Sequence, residues 1–365
     1  MGFNAGIIGL PNVGKTTIFN AITGADAEVT IYGFSTTKTD SRTVFVPDNR
    51  IEEIQKVVEA DKLVYTTMEI VDVPALAQGA SKGEGLGNRF LSDIQKLDAL
   101  LHVVRCFEDE NIIHIDDKID PIRDVEIVNG ELILADLEAV TGQIDRLQKK
   151  VRAHDKEAIK KTEVLSKCQE HLFEEKPISE LDLSEEEKYA IRDTSLLTFK
   201  PMLYVANIPE DAISEDNKYV KALEEYAKKE GKTLIKISGQ IEADIAAIED
   251  EEEKQEFLDE MGLKEPGLYQ LLREGYALLD LITFFTVGGK ENRAWTIKNN
   301  STAWVAAGKI HSDIQRGFIR AEVYHYEDLI KFKSEPAIKD NGKFRLEGKD
   351  YIVKDGDILH FRFNV

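Results

Sequence analysis

Gly9-Leu10-Pro11-Asn12-Val13-Gly14-Lys15-Thr16 follows a short apolar run at residues 5–8 and leads into a stretch of helical character at 16–22. The eight residues fit G-x-x-x-x-G-K-[ST] at every constrained position, in the strand–loop–helix setting that the pattern requires. Glycines let successive backbone N–H groups turn inward around phosphate oxygens. The helix that follows points its positive end at the same anion. Lys15 then reaches the outer phosphates, and the Thr16 hydroxyl is a ligand for Mg2+. Asn12, Val13, Gly14, Lys15, Thr16 and Thr17 are therefore the first candidate nucleotide-binding residues.

Outward from this loop, apolar runs at 64–73, 100–106, 202–206 and 234–237 read as strands. Alternating with helical stretches, they predict a mainly parallel sheet in an α/β domain. Asp72 stands near the end of its run, before Val73-Pro74-Ala75, where a carboxylate can hold Mg2+ through water. Asn207-Ile208-Pro209-Glu210 follows the run at 202–206. A guanine-specific site carries Asn-Lys-x-Asp there, and its Asp accepts two hydrogen bonds that adenine cannot donate. Ile208 in place of Lys and Glu210 in place of Asp weaken the case for guanine. Ser238-Gly239-Gln240 closes the next run and offers a backbone N–H near the base.

Asn207 follows Asp72 by 135 positions, far more than a minimal domain of this kind needs. Within that interval Leu137, Val140, Ile144, Leu147 and Val151 step by three and four. Leu165, Cys168 and Leu172 resume the rhythm beyond the polar stretch at His154-Asp155. Each seam is too short to pair alone, so the expectation is an antiparallel helical hairpin inserted into the nucleotide-binding domain. Ser184 and Glu187 predict a capping box on a short helix. The acidic run at 249–253 reads as a solvated face. The expected division is a nucleotide-binding domain at 1–130 and 201–280, a helical arm at 131–200, and a small β-rich domain at 281–365 with turns at Gly342, Gly348 and Gly356.

The chain has 365 residues and a formal charge of −21. Residues 281–365 hold 14 Lys and Arg against 11 Asp and Glu, so the acidity lies upstream. Such a chain is unsuited to coating DNA or an anionic membrane, and neither is an expected partner. Two cysteines, Cys106 and Cys168, exclude a disulfide framework and a four-cysteine zinc site, and both lie in apolar patterns that read as buried. No apolar run is long enough to span a bilayer. Met1-Gly2-Phe3-Asn4 lacks the basic start of a signal peptide, and the expected location is the cytoplasm.

Further stretches join the phosphate loop and residues 207–210: residues 79–88, His102-Val103-Val104-Arg105-Cys106-Phe107, Arg293-Ala294-Trp295-Thr296-Ile297, Gly317-Phe318-Ile319-Arg320-Ala321-Glu322 and Glu347-Gly348-Lys349-Asp350-Tyr351. On these residues the chain resembles the Obg-like ATPase, or YchF, family of translation-factor-class P-loop proteins, from Met1 to Val365. The resemblance implies a G domain, an inserted antiparallel helical arm and a C-terminal β-grasp domain of TGS type. It implies ATP preferred over GTP, Mg2+, and association with the ribosome or a ribosomal subunit. It assigns Thr36 to switch I, closing on Mg2+ and the γ-phosphate, and sets Ile208 beside the adenine. Leu76 stands where Ras-like proteins carry a water-positioning Gln, and a leucine cannot orient water by hydrogen bonding. The family points instead to a histidine in a mobile loop, here His114. Asn12 matches a P-loop asparagine that binds K+ in some related GTPases.

Departures from the family pattern fall in the switches. Pro74 and Ala75 replace the usual Ala-Gly, and Gly33, Thr37 and Lys38 replace Pro, Ile and an acidic residue. Secure nucleotide binding with slow hydrolysis is the expectation. The alternative is a nucleotide-gated ribosome- or RNA-binding protein in which hydrolysis is incidental. A small-molecule kinase explains the phosphate loop but not residues 207–210 or the terminal domain. In that domain Phe318, Tyr324, Tyr326, Phe332 and Phe344, interleaved with basic residues, suit RNA contact, with core aromatics as the plainer reading. Trp304 is the candidate contact residue, and His102, inside an apolar run, reads as a satisfied core side chain.

Overall fold

The apolar runs form the strands of two six-stranded sheets in a computed structural model that describes residues 3–24, 40–75, 86–112 and 118–364, with backbone alone at 86–89. The first seven strands are β1 (Asn4–Ile8), β2 (Asp40–Phe45), β3 (Lys62–Val64), β4 (Thr67–Asp72), β5 (Ala99–Arg105), β6 (Met202–Asn207) and β7 (Leu234–Ile237). The first sheet runs β2-β4-β1-β5-β6-β7. Its β1 pairs in parallel with β4 and β5, β5 with β6, and β6 with β7. Every residue of β5 is buried, the continuous apolar pattern of a strand covered on both faces.

Helix α1 (Lys15–Gly24) follows the phosphate loop. Helices α2 (Asn49–Val57) and α3 (Leu86–Gln95) come before the arm. The arm is the hairpin of α4 (Pro121–Arg152) and α5 (Lys156–Phe173). Asp120 and Asp155 cap their starts, accepting from the backbone N–H groups of Arg123 and Ala158. Val140, Val164, Leu165, Cys168 and Leu172 form its core, with Leu137, Ile144 and Leu147 packed against them. No break residue separates α4 from the nucleotide-binding sheet. The helix therefore starts ten residues before the expected boundary at 131, and its Val125 packs with Val104, Cys106 and Tyr204. The returning chain is fixed by buried Asp136, whose carboxylate accepts from the Leu197 and Thr198 amides and the Thr198 hydroxyl at 2.7–2.8 Å. Helix α6 (Glu185–Ile191) carries the Ser184–Glu187 capping box read from sequence. Both cysteines are buried, and burial pushes the Cys168 thiol up to about 11.

The apolar run at 64–73 is not one strand. It breaks at Tyr65-Thr66, and β3 joins the second sheet. That sheet runs β11-β10-β12-β8-β9-β3, with β8 (Leu281–Thr286), β9 (Glu291–Lys298), β10 (Phe318–His325), β11 (Arg345–Glu347) and β12 (Asp357–Phe363). Val44–Met68 accordingly folds with Tyr269–Val365, where the sequence reading keeps it in the nucleotide-binding domain and starts the terminal domain at 281. The physical reason is local. Ile51 and Ile54 of α2, fully buried, pack with Phe285, Tyr324, Leu329 and Ile358. Asn292, fully buried on β9, donates to Gln55 Oε1 and Val58 O. Arg50 binds Asp48 and Asp355. Tyr324 stacks on Phe344 at 5.6 Å, and Tyr326, Phe332 and Phe318 pack against apolar clusters, so these aromatics are core residues. Trp304 is 45% exposed.

Burial of Ile51 and Ile54 is worth about 1.5–3 kcal/mol each. A chain truncated after residue 280 loses the surfaces that cover them. It is expected to bind an apolar dye and to unfold without a sharp transition, while the full chain does neither. A truncated chain that unfolds cooperatively, with amides of 49–57 protected from exchange, contradicts this division.

Candidate functional site

The phosphate loop is shaped by backbone positions few residues tolerate. Gly9 and Gly14 adopt φ of 148° and 96°, and Asn12 is left-handed at 60°. A Cβ on Gly9 would lie 2.5 Å from the Val103 carbonyl oxygen, and one on Gly14 would lie 2.1 Å from Asn207 Nδ2. Only glycine fits either place. Lys15 is buried and donates to the Leu10 carbonyl at 2.7 Å, so its ammonium folds back across the loop. Burial lowers its pKa to about 8, against the upward pull of Asp72. Val13 is buried, while the side chains of Asn12, Thr16 and Thr17 are exposed.

Thr16 and Asp72 meet, the hydroxyl donating to Asp72 Oδ2 at 3.1 Å. Burial lifts the Asp72 carboxyl, opposed by the Thr16 hydrogen bond and the Lys15 charge. A hydroxyl oxygen and a carboxylate side by side at a helix N-terminus suit a hard divalent cation of Mg2+ type. Asn207, at the end of β6, is the brace of the site. Its Nδ2 donates to Val13 O at 2.9 Å and its Oδ1 accepts from Gly239 N at 3.0 Å. Gly239 opens helix α8 (Gly239–Ala247), and α7 (Lys218–Lys229) lies before β7.

Ile208 is 5% exposed and packs with Cys106, Ala206, Ala212 and Val220. Its N–H is taken by Ile237 O at 2.8 Å. The expected side chain lying along a base is thus largely withdrawn into the core. Glu210 is exposed at the start of a short 3-10 turn, Glu210–Ala212. Ser238 is buried, and among the described residues its Oγ finds no hydrogen-bond partner. His102 is buried as expected, but its Nδ1 is likewise unpartnered; burial drops its pKa to about 3, so the ring is neutral. Thr36, Leu76 and His114 lie outside the described residues.

Two participants escape sequence reasoning. Arg105, an arginine ending an all-apolar strand, is 1% exposed. Glu242 on α8 is 3% exposed, accepts from Gly267 N at 2.7 Å, and is pushed by burial up to about 7. A charged residue inside an apolar run signals the first; nothing local signals the second.

Residues 4–135 match the family described as a 50S ribosome-binding GTPase. Residues 281–364 match the C-terminal family of YchF GTPases, described as a protein of unknown function. The ribosome-binding ATPase YchF of Escherichia coli O157:H7 is 50% identical over 365 residues, covering 100% of both chains. Its namesake in Bacillus subtilis (strain 168) is 48% identical, again covering 100% of both. A solved structure titled as the Schizosaccharomyces pombe YchF GTPase superposes with a TM-score of 0.87 at 34% identity, over 99% of this chain and 98% of that one.

The lowered pKa of Lys15 makes a sign-definite expectation. Near pH 8 the free site holds Lys15 partly deprotonated, and a bound triphosphate draws the proton back. Nucleotide binding at that pH should take up about half a proton, seen as a binding enthalpy that varies with buffer ionisation enthalpy. At pH 6.5 the contribution from Lys15 should vanish. Lys15→Arg, always charged, should abolish the uptake at pH 8; uptake undiminished in that variant contradicts the assignment.

Proposed function

This chain belongs to the YchF family, and from that premise we propose that it is a Mg2+-dependent ATPase switch that associates with the ribosome in the cytoplasm. The observation that carries the reading is the assembled phosphate loop, braced by Asn207 and followed by Ile208-Pro209-Glu210 where a guanine site needs Lys and Asp. No cation stands at position 208, and Glu210 carries one methylene more than the Asp that grips guanine. Full-length relatives at 50% and 48% identity that carry the name ribosome-binding ATPase support the same reading.

In this reading the loop amides and Lys15 bind the phosphates, and Lys15 leaves the Leu10 carbonyl to do so. Thr16 and Asp72, with Thr36 from switch I, hold the metal. Bound Mg2+ supplies neutralisation of the charge that develops on the phosphates. The triphosphate is thereby fixed for in-line attack, so that catalysis is largely positioning and electrostatic stabilisation. His114 orients the attacking water in the absence of a glutamine at 76. A requirement for K+ would trace to Asn12, exposed in the loop.

Slow intrinsic turnover follows from Pro74. Proline has no N–H to offer the γ-phosphate, and it restricts Val73. Val73 is itself buried, and its N–H is committed to Ile7 O. RNA contact through the terminal domain would rest on Trp304, since the other aromatics are packed inward.

His114→Ala should lower ribosome-stimulated phosphate release from ATP by about 100-fold, with the affinity for a non-hydrolysable ATP analogue held within about twofold. Turnover at the wild-type rate removes His114 from the mechanism. GTP hydrolysed faster than ATP removes the proposed substrate.

A further inference from the structure

Arg105 closes β5, directly across from Asn207 in the parallel pairing of β5 with β6. A buried arginine ordinarily meets a carboxylate. This one spends its donors on main chain. Nε donates to Phe107 O at 3.1 Å, Nη2 to Asp109 O at 3.2 Å and Nη1 to Ile112 O at 3.0 Å. The guanidinium also lies over the Phe107 ring, 4.6 Å from its centroid. A planar fork with donors in fixed directions can satisfy three carbonyls only when the loop holds one shape. Lysine, with one nitrogen, cannot do the same.

The loop has outer supports as well. Asn217, which caps α7, donates through Nδ2 to Cys106 O at 2.7 Å. Glu108 accepts from Lys218 Nζ at 3.1 Å and from the Tyr219 hydroxyl. Asp109 Oδ1 accepts from Asn111 N at 2.9 Å. The outer ties to α7 stop at Glu108, whereas Arg105 alone among these side chains reaches Ile112, the last described residue before the chain continues to 114.

We propose that Arg105 is a positioning residue for ATP hydrolysis: it fixes residues 107–112 and so sets where the chain delivers His114, two residues further on. The inference rests on the role of His114 given above. His114 itself lies outside the described residues, and the link to it is chain continuity from Ile112. The physical demand is plain. A side chain that orients a water acts over a hydrogen-bond length, and a misplacement of about 1 Å costs roughly 100-fold in rate. A loop anchored only at its outer rim does not meet that tolerance. A guanidinium rooted in the central sheet beside Asn207 does, because the same strands that brace the phosphate loop then brace the loop leading to His114.

A double-mutant cycle between Arg105→Lys and His114→Ala tests this. Arg105→Lys keeps the charge and one donor but loses the fork. Its kcat for ATP should fall at least about tenfold, with KM and ATP-analogue affinity held within about twofold. In the His114→Ala background the same change should lower kcat by less than about twofold, because the residue it positions is gone. A fall of equal factor in both backgrounds overturns the proposal, and so does full turnover in Arg105→Lys. Full turnover in His114→Ala refutes the His114 reading separately, whatever Arg105→Lys does, and takes the route through residue 114 with it. If Arg105→Lys does not fold, Asp109→Ala serves in the same cycle. That exposed change removes only the bond to Asn111 N and should lower kcat about two- to fivefold, again only where His114 is present.

Discussion

One buried side-chain amide holds the nucleotide site together. Asn207 ties the Val13 carbonyl of the phosphate loop to the Gly239 amide at the head of α8, donating to one and accepting from the other. An amide is the side chain that can do both from one planar group. Its fit dictates its surroundings. Gly14 must be glycine because a Cβ there would strike Asn207 Nδ2, and β6 must end where it does to deliver the side chain. Arg105 is placed by the same register, one strand away. Loss of this brace would leave a carbonyl and an N–H unpaired in a buried place, each costing about 1–3 kcal/mol.

The chain path around the metal residue has its own logic. After β2 the chain supplies α2 and β3 to the core of the terminal unit, and only then runs into β4 and Asp72. Asn292 and Arg50 hold that excursion with charge-assisted and amide hydrogen bonds, over the apolar contacts of Ile51 and Ile54. A segment between two strands of the nucleotide-binding sheet is thus an integral part of a different core.

What could be read beforehand follows the range of the interactions. The phosphate loop, the parallel strands, the arm seam at Val140, Leu165 and Cys168, and the Ser184 cap are local patterns, and each appears in the structure. The loop residues and Asp72 were legible for the same reason, and Thr16 and Asp72 do meet. Long-range choices were not legible. Nothing in 64–73 says that its first residue pairs with β9 while Asp72 ends a strand beside β1. Ile208 was placed at the base from its position in a motif, but its apolar side chain finds more to bury against in the core. Arg105 stood in plain view inside a recognised stretch. Its three carbonyl partners are set by loop geometry, which periodicity does not encode.

The central claim is that a site braced by Asn207, with Ile208 and Glu210 in place of the guanine-gripping pair, takes adenine nucleotide. Calorimetric titration with non-hydrolysable ATP and GTP analogues, each with Mg2+, tests it most directly. The account expects the ATP analogue to bind at least about tenfold tighter, a difference of about 1.4 kcal/mol. Tighter binding of the GTP analogue would contradict it and return residues 207–210 to guanine recognition.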